Sequence, residues 1–331
     1  MIWTNDLVRL KKQFHIVVII VLISILSFAI INDYNGMTLI NAQRTIDLDN
    51  NTDNTNILDI KNIPSKQVRV GDIDVSYKKF GNGDPILLIM GYSGSKNDWD
   101  PTFLKGLSSN HTVIIFDNRG IPNSTLGTKD YTIHQLAKDI VGLLNVLNID
   151  KVDILGYSLG GMIAQQLTLD HEDKVDDLII YASYCGTIDD QTFYPPKKLL
   201  DQFGDLTGTE NEIKQNFVPY QFSNSWINQN RDSYDRIFAS LDLPPTNILE
   251  KQKDAIFKWI PIGTCDRLSE ISQDTLIIVG TSDKIIPSIN SEIFKDKIKG
   301  AKVETFVGGG HALMFQFPER LSEVINTFLD K

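Results

Sequence analysis

Apolar residues fall into three regimes along this chain. From Phe14 to Ile31 they form an 18-residue run broken only by His15, Ser24 and Ser27; from Asn32 to Pro64 they are sparse; from about Ser65 they recur at regular spacing. Within the regular part, Val68 to Tyr77 alternates around Gly71-Asp72 and predicts a hairpin. Gly81-Asn82-Gly83-Asp84 reads as a second hairpin-type turn, followed by two short apolar runs, Pro85 to Met90 and Thr112 to Phe116. Ile133, Leu136, Ala137, Ile140, Leu143, Leu144 and Leu147 sit at helical spacing. A strand over Val152 to Leu155 leads through a small-residue turn into a helix from about Gly160 to Leu169, then a strand from Val175 to Tyr181. Beyond a long irregular stretch come a strand at Thr275 to Val279, a helix through Ser288 to Ile298, a strand at Lys302 to Val307 and a helix from Pro318 to Leu329. Strands alternating with helices predict an α/β fold with a mostly parallel sheet covered on both faces, and such sheets bind ligands beyond the carboxyl ends of their strands.

The first run is long enough to span a bilayer with little tilt. Arg9, Lys11 and Lys12 precede it and only Arg44 follows closely, so the positive-inside rule puts the N-terminus in the cytoplasm and the remainder outside. A cleaved signal peptide ending near Ala42 is the alternative; the long apolar core and the distant cut favour an anchor over residues 1–31. Residues 32–64, rich in Asn, Asp and Thr, read as a polar tether that buries too little to offset its ordering entropy. Sequons begin at Asn50, Asn110 and Asn123; they are compatible with export and do not demonstrate it. Residues 65–331 are left as the globular domain.

Composition narrows the function. The 331 residues carry a net charge of −10 and a pI near 5.0, which disfavours nucleic acid as a partner. Arg9, Lys11 and Lys12 against Asp6 make a local +2, leaving −12 for the rest. Cys185 and Cys265 are too few for a disulfide framework; two independent buried thiols are expected, with one bridge as the alternative that export would allow. Paired histidines, cysteine pairs and calcium-type acidic loops are absent from the sequence, as is a phosphate-binding glycine loop, so no metal and no cofactor is expected.

The chemistry collects after the strands. Gly156-Tyr157-Ser158-Leu159-Gly160-Gly161 places a serine between glycines on a strand-to-helix turn, the nucleophile-elbow pattern, with its hydroxyl beside a helix N-terminus. Serine needs a base, and the base needs a carboxylate to orient it. Of five histidines, only His311, in Gly308-Gly309-Gly310-His311, lies in a glycine-rich loop just past a late strand. Asp283, in Gly280-Thr281-Ser282-Asp283, lies between serine and histidine in sequence and at a strand end. Singly, Asp283 also reads as a helix N-cap and His311 as a loop residue; jointly the order Ser, Asp, His argues for a triad.

With these residues in view, the chain from about Val68 to Leu329 resembles the α/β-hydrolase family. The resemblance implies an eight-stranded, mostly parallel sheet, Ser158 as nucleophile, His311 as general base and then acid, and Asp283 orienting the imidazole. It implies an oxyanion hole from the backbone N–H groups of Leu159 and, in the loop Met90-Gly91-Tyr92-Ser93-Gly94-Ser95, of Tyr92; many relatives have His-Gly where this chain has Met90-Gly91. Tyr157 and Met90 are candidate pocket residues. Phe116-Asp117-Asn118-Arg119-Gly120 matches a second family signature whose role is structural, with Arg119 fixing neighbouring loops. The stretch at about 187–264, carrying Tyr194-Pro195-Pro196, Phe217, Tyr220, Phe222, Trp226, Tyr234, Phe238, Phe257 and Trp259, is similar to the family's helical cap, with most aromatics in the cap core and two or three on the pocket. The expected activity is hydrolysis of a small ester or lactone through an acyl-enzyme. C–C bond hydrolases, thioesterases and cofactor-free haloperoxidases share the triad, and a non-catalytic surface binding protein would share the fold. Dehalogenase and epoxide hydrolase chemistry is disfavoured, since those relatives carry an aspartate where this chain has Ser158.

Overall fold

The computed structural model describes residues 60–186 and 205–330. The apolar run Phe14 to Ile31, most of the polar tether and Tyr194-Pro195-Pro196 lie outside the described residues. Among those described, no helix is long and apolar enough to cross a membrane.

Eight strands form one sheet in the order β1-β2-β4-β3-β5-β6-β7-β8. They are β1 Lys66–Val70, β2 Ile73–Gly81, β3 Pro85–Ile89, β4 Thr112–Phe116, β5 Val152–Tyr157, β6 Val175–Tyr181, β7 Thr275–Gly280 and β8 Lys302–Phe306. Only β2 runs against the others, pairing antiparallel with β1 and β4, so the sheet is mostly parallel. The turn at Gly81-Asn82-Gly83-Asp84 does not close a hairpin, because β4 lies between β2 and β3.

Period-two alternation decides which layer each strand residue enters. In β3, Leu87 and Ile89 face the core under one set of helices, while Ile86 and Leu88 face the other. The first layer contains α2 (Ile133–Val146) and α3 (Leu159–Asp170); α1 (Pro101–Ser108) and α10 (Pro318–Leu329) pack together on the second. Helix α1 lies in a stretch the apolar spacing did not single out, but its start is chemically marked. Asp100 Oδ1 accepts from the N–H groups of Thr102 and Phe103 at 2.8 and 3.0 Å, and Pro101 occupies the first turn, where no N–H is needed.

Between β6 and β7 lie α4 (Glu210–Phe217), α5 (Asn224–Gln229), α6 (Arg231–Ser240) and α7 (Thr246–Trp259). Phe217, Phe222, Tyr234, Trp226 and Phe238 build a separate apolar cluster here. Trp259, expected with them, belongs instead to the core beneath the sheet, because α7 turns its Ala255 and Trp259 face inward. The bases of this insertion are joined covalently. Cys185 and Cys265 form a disulfide, which corrects the expectation of independent thiols: their Cα atoms are 4.9 Å apart although 80 residues separate them in sequence. Helices α8 (Asn290–Lys297) and α9 (Leu313–Gln316) complete the order.

Candidate active site

The chain order reverses its direction across the sheet between β3 and β5, since β4 lies to one side of β3 and β5 to the other. A crevice opens at the carboxyl ends there. Ser158 follows β5 and begins α3 with φ 55° and ψ −117°, a conformation that costs a non-glycine residue about 1–3 kcal/mol. Surrounding bonds hold it: its N–H donates to Tyr181 O at 2.9 Å, and its carbonyl accepts from Gly161 N–H and Ser183 Oγ, both at 2.8 Å. Gly160 is required by close approach, since a Cβ there would stand 2.0 Å from Ile89 O.

His311 lies in the loop after β8 and is almost fully buried. Its Nδ1 is 2.7 Å from Asp283 Oδ2, in the loop after β7. The other carboxylate oxygen of Asp283 accepts from the N–H groups of Ile285 and Ile286, both at 2.8 Å. The aspartate is therefore a turn cap and an imidazole partner at once. Ser158 and His311 line one cavity of about 170 Å³, with Met90, Tyr92, Tyr157 and Leu159 also on its wall. Among the described residues, Phe217, Phe222 and Phe257 are the insertion aromatics that reach it. All candidate site residues thus converge, Asp283 standing behind His311. No group of three or more potential metal-ligating side chains occurs among the described residues.

The loop after β3 is pinned from two sides. Ser93, at φ 65°, donates its N–H to Oε1 of the fully buried Gln252 in α7 at 2.8 Å. Lys96 and Asp117 form a buried ion pair at 2.6 Å, reinforced by Lys96 N–H on Asp117 Oδ1 at 2.7 Å. Burial pushes the Asp117 carboxyl up while the Lys96 bonds oppose this. Burial also raises Asp98, on the cavity wall, to about 6, against a bond from Ser95 N–H. Arg119 is wholly buried and acts on loops: its guanidinium takes both oxygens of Asp139 at 2.6 and 2.7 Å and reaches Asp72 at 3.3 Å and Leu126 O at 3.1 Å.

Sequence reasoning missed Gln252, Lys96 and Gln221, the last of which accepts from the Tyr157 hydroxyl at 2.8 Å. No motif marks them, because each acts through a partner brought near only by the fold.

Comparison with known proteins places this geometry in context. The family described as alpha/beta hydrolase fold matches residues 84–318. The chain is 25% identical over 263 residues to a protein of Azorhizobium caulinodans named "Putative carbamate hydrolase RutD", covering 78% of this chain and 96% of that one. It is 25% identical over 260 residues to the pimeloyl-[acyl-carrier protein] methyl ester esterase of Aeromonas hydrophila, covering 78% of this chain and all of the esterase, at 100%. The solved structure titled "Est816 as an N-Acyl homoserine lactone degrading enzyme" superposes with a TM-score of 0.66 at 25% identity, over 80% of this chain and 100% of that one.

Proposed function

The chain belongs to the α/β-hydrolase fold family, and on that premise we propose that it is a serine hydrolase cleaving a small-molecule carboxylic ester or lactone through an acyl-enzyme. The observation that carries this reading is the joint geometry: a serine held at φ 55° shares a cavity with an imidazole whose far nitrogen is 2.7 Å from a buried carboxylate. The esterase and lactone-degrading relatives support the ester and lactone classes.

With Nδ1–H donated to the Asp283 carboxylate, His311 Nε2 is left as acceptor. Ser158 Oγ attacks the carbonyl carbon as its proton passes to Nε2. The tetrahedral oxyanion takes hydrogen bonds from the N–H groups of Tyr92 and Leu159, neither of which donates to another group among the described residues. Leu159 N–H also opens α3, whose dipole favours negative charge. His311 then protonates the leaving alkoxide. Water attacks the acyl carbon, its proton goes to His311, and collapse returns the proton to Ser158 Oγ with release of the acid. In an oxyanion hole of this kind one donor contributes about 10²–10³ in rate.

In this reading, residues 1–31 anchor the chain and the catalytic domain stands outside the cytoplasm. Support comes from the basic flank of the apolar run and from the Cys185–Cys265 disulfide, which persists in oxidising compartments. The hydrolase reading is tested with a fluorophosphonate probe and short p-nitrophenyl esters. The native protein is expected to label and turn over, and Ser158→Ala to do neither; full activity in that variant overturns the proposal.

A further inference from the structure

One short segment of the insertion, Gln221 to Asn224, touches the immediate neighbour of each proposed triad residue. Tyr157, preceding Ser158, donates its hydroxyl to Gln221 Oε1 at 2.8 Å. Ala312, following His311, donates its N–H to Gln221 O at 2.9 Å. Lys284, following Asp283, donates Nζ to Asn224 Oδ1 at 2.7 Å and reaches Phe222 O at 3.5 Å. The approach is close enough to dictate sequence: a Cβ on Gly310 would stand 2.7 Å from Gln221 O and 2.9 Å from Phe222 Cα. Three loops that follow three different strands are therefore registered against one another through a fourth element.

Gln221 is the centre of this arrangement, since it alone ties two of the loops, one with its side chain and one with its main chain. The Tyr157 bond has the larger leverage. Tyr157 is buried, its ring lies 5.1 Å from the His311 imidazole and 4.6 Å from the Tyr181 ring, and its backbone leads directly into the strained serine. Removing the acceptor leaves a buried hydroxyl unpaired, which costs about 1–3 kcal/mol and is relieved by moving the ring. Such a movement disturbs imidazole and nucleophile together. We propose that Gln221 is a positioning residue, which fixes the separation of Ser158 and His311 by accepting from Tyr157 and Ala312. The insertion thus frames the triad besides roofing the cavity.

This proposal rests on the serine-hydrolase reading, and its test separates the two. Gln221→Leu, Gln221→Glu, Tyr157→Phe and the Gln221→Leu/Tyr157→Phe pair are compared with the native protein by short-ester kinetics, fluorophosphonate labelling rate and thermal melting. A misplacement on the ångström scale lowers rates by up to about 10²-fold. Gln221→Leu is therefore expected to lower kcat and the labelling rate about 10- to 100-fold at unchanged KM. Gln221→Glu, which keeps an oxygen acceptor, recovers most of the rate. Tyr157→Phe keeps the ring and removes the hydroxyl that Gln221→Leu strands, so the pair loses no more than Gln221→Leu alone. If the native protein labels and Gln221→Leu labels equally fast, or if the two losses multiply, the positioning role is overturned while the hydrolase reading stands. If the native protein does not label, the hydrolase reading falls and takes this proposal with it.

Discussion

Ser158 sits in a backbone region that only glycine occupies without strain, and its neighbours hold it there. Relief of that strain is measurable. Ser158→Ala keeps a Cβ at φ 55° and keeps the strain, whereas Ser158→Gly relieves about 1–3 kcal/mol and gives back about 0.5–1 kcal/mol of unfolded-state entropy. Ser158→Gly is therefore expected to unfold at higher denaturant than Ser158→Ala, by about 1 kcal/mol, with both inactive; a Ser158→Gly midpoint below that of Ser158→Ala by about the entropy cost would mean the turn stores no strain. At this scale the proposed triad could be put forward from the sequence because each member carries a local mark: glycines around Ser158, a glycine run before His311, a strand end before Asp283. Gln221, Gln252 and the Lys96–Asp117 pair were not legible, since a glutamine carbonyl or a buried lysine has no signature until the fold supplies its partner.

At the scale of elements, the central strands were readable because apolar residues on both faces leave few alternatives to a covered parallel sheet. Strand order was less so: a glycine-rich turn between β2 and β3 looks the same whether or not the strands pair. Helix α1 was marked by Asp100-Pro101 and not by its apolar spacing, and the insertion helices among the described residues pack on the cavity and core. One polar intruder in β5 makes a prediction at this scale. Asp153 is buried at the amino end of the strand, opposite the end that leads to Ser158. Burial, with Asp177 and Asp176 nearby, raises its carboxyl from 3.8 to about 7, against a bond from Asp177 N–H. In the unfolded chain the group ionises near 3.8, so between about pH 4 and 7 the folded state holds the extra proton. Stability from this group is present below that window and is lost as pH rises through it. Asp153→Asn is accordingly expected to melt several degrees above the native protein at about pH 8, with the gap narrowing as pH falls from about 7 towards 4 and ester turnover unchanged. A gap that does not vary with pH would assign the difference to packing alone.

For the whole molecule, the disulfide and the proposed topology constrain each other. The bridge closes an 80-residue separation and clamps the two bases of the insertion that frames the site. Cross-links of that span stabilise by about 2–4 kcal/mol, so Cys185→Ser/Cys265→Ser is expected to melt about 5–15 °C lower, read by scanning calorimetry in the absence of reductant. Cysteines kept reduced by a cytoplasmic thiol pool would forfeit that contribution, whereas outside the membrane the bridge forms and persists. The −12 that remains beyond the basic N-terminal residues fits a solvated surface on either side and does not decide between them. Two measurements on intact cells do decide. With the catalytic domain outside, added protease removes it, and alkylation under non-reducing conditions finds no free thiol among the two cysteines. Protection from protease together with two alkylated cysteines would move the domain to the cytoplasm and leave the hydrolase reading to the labelling test, because the proposed triad residues all lie within residues 65–331.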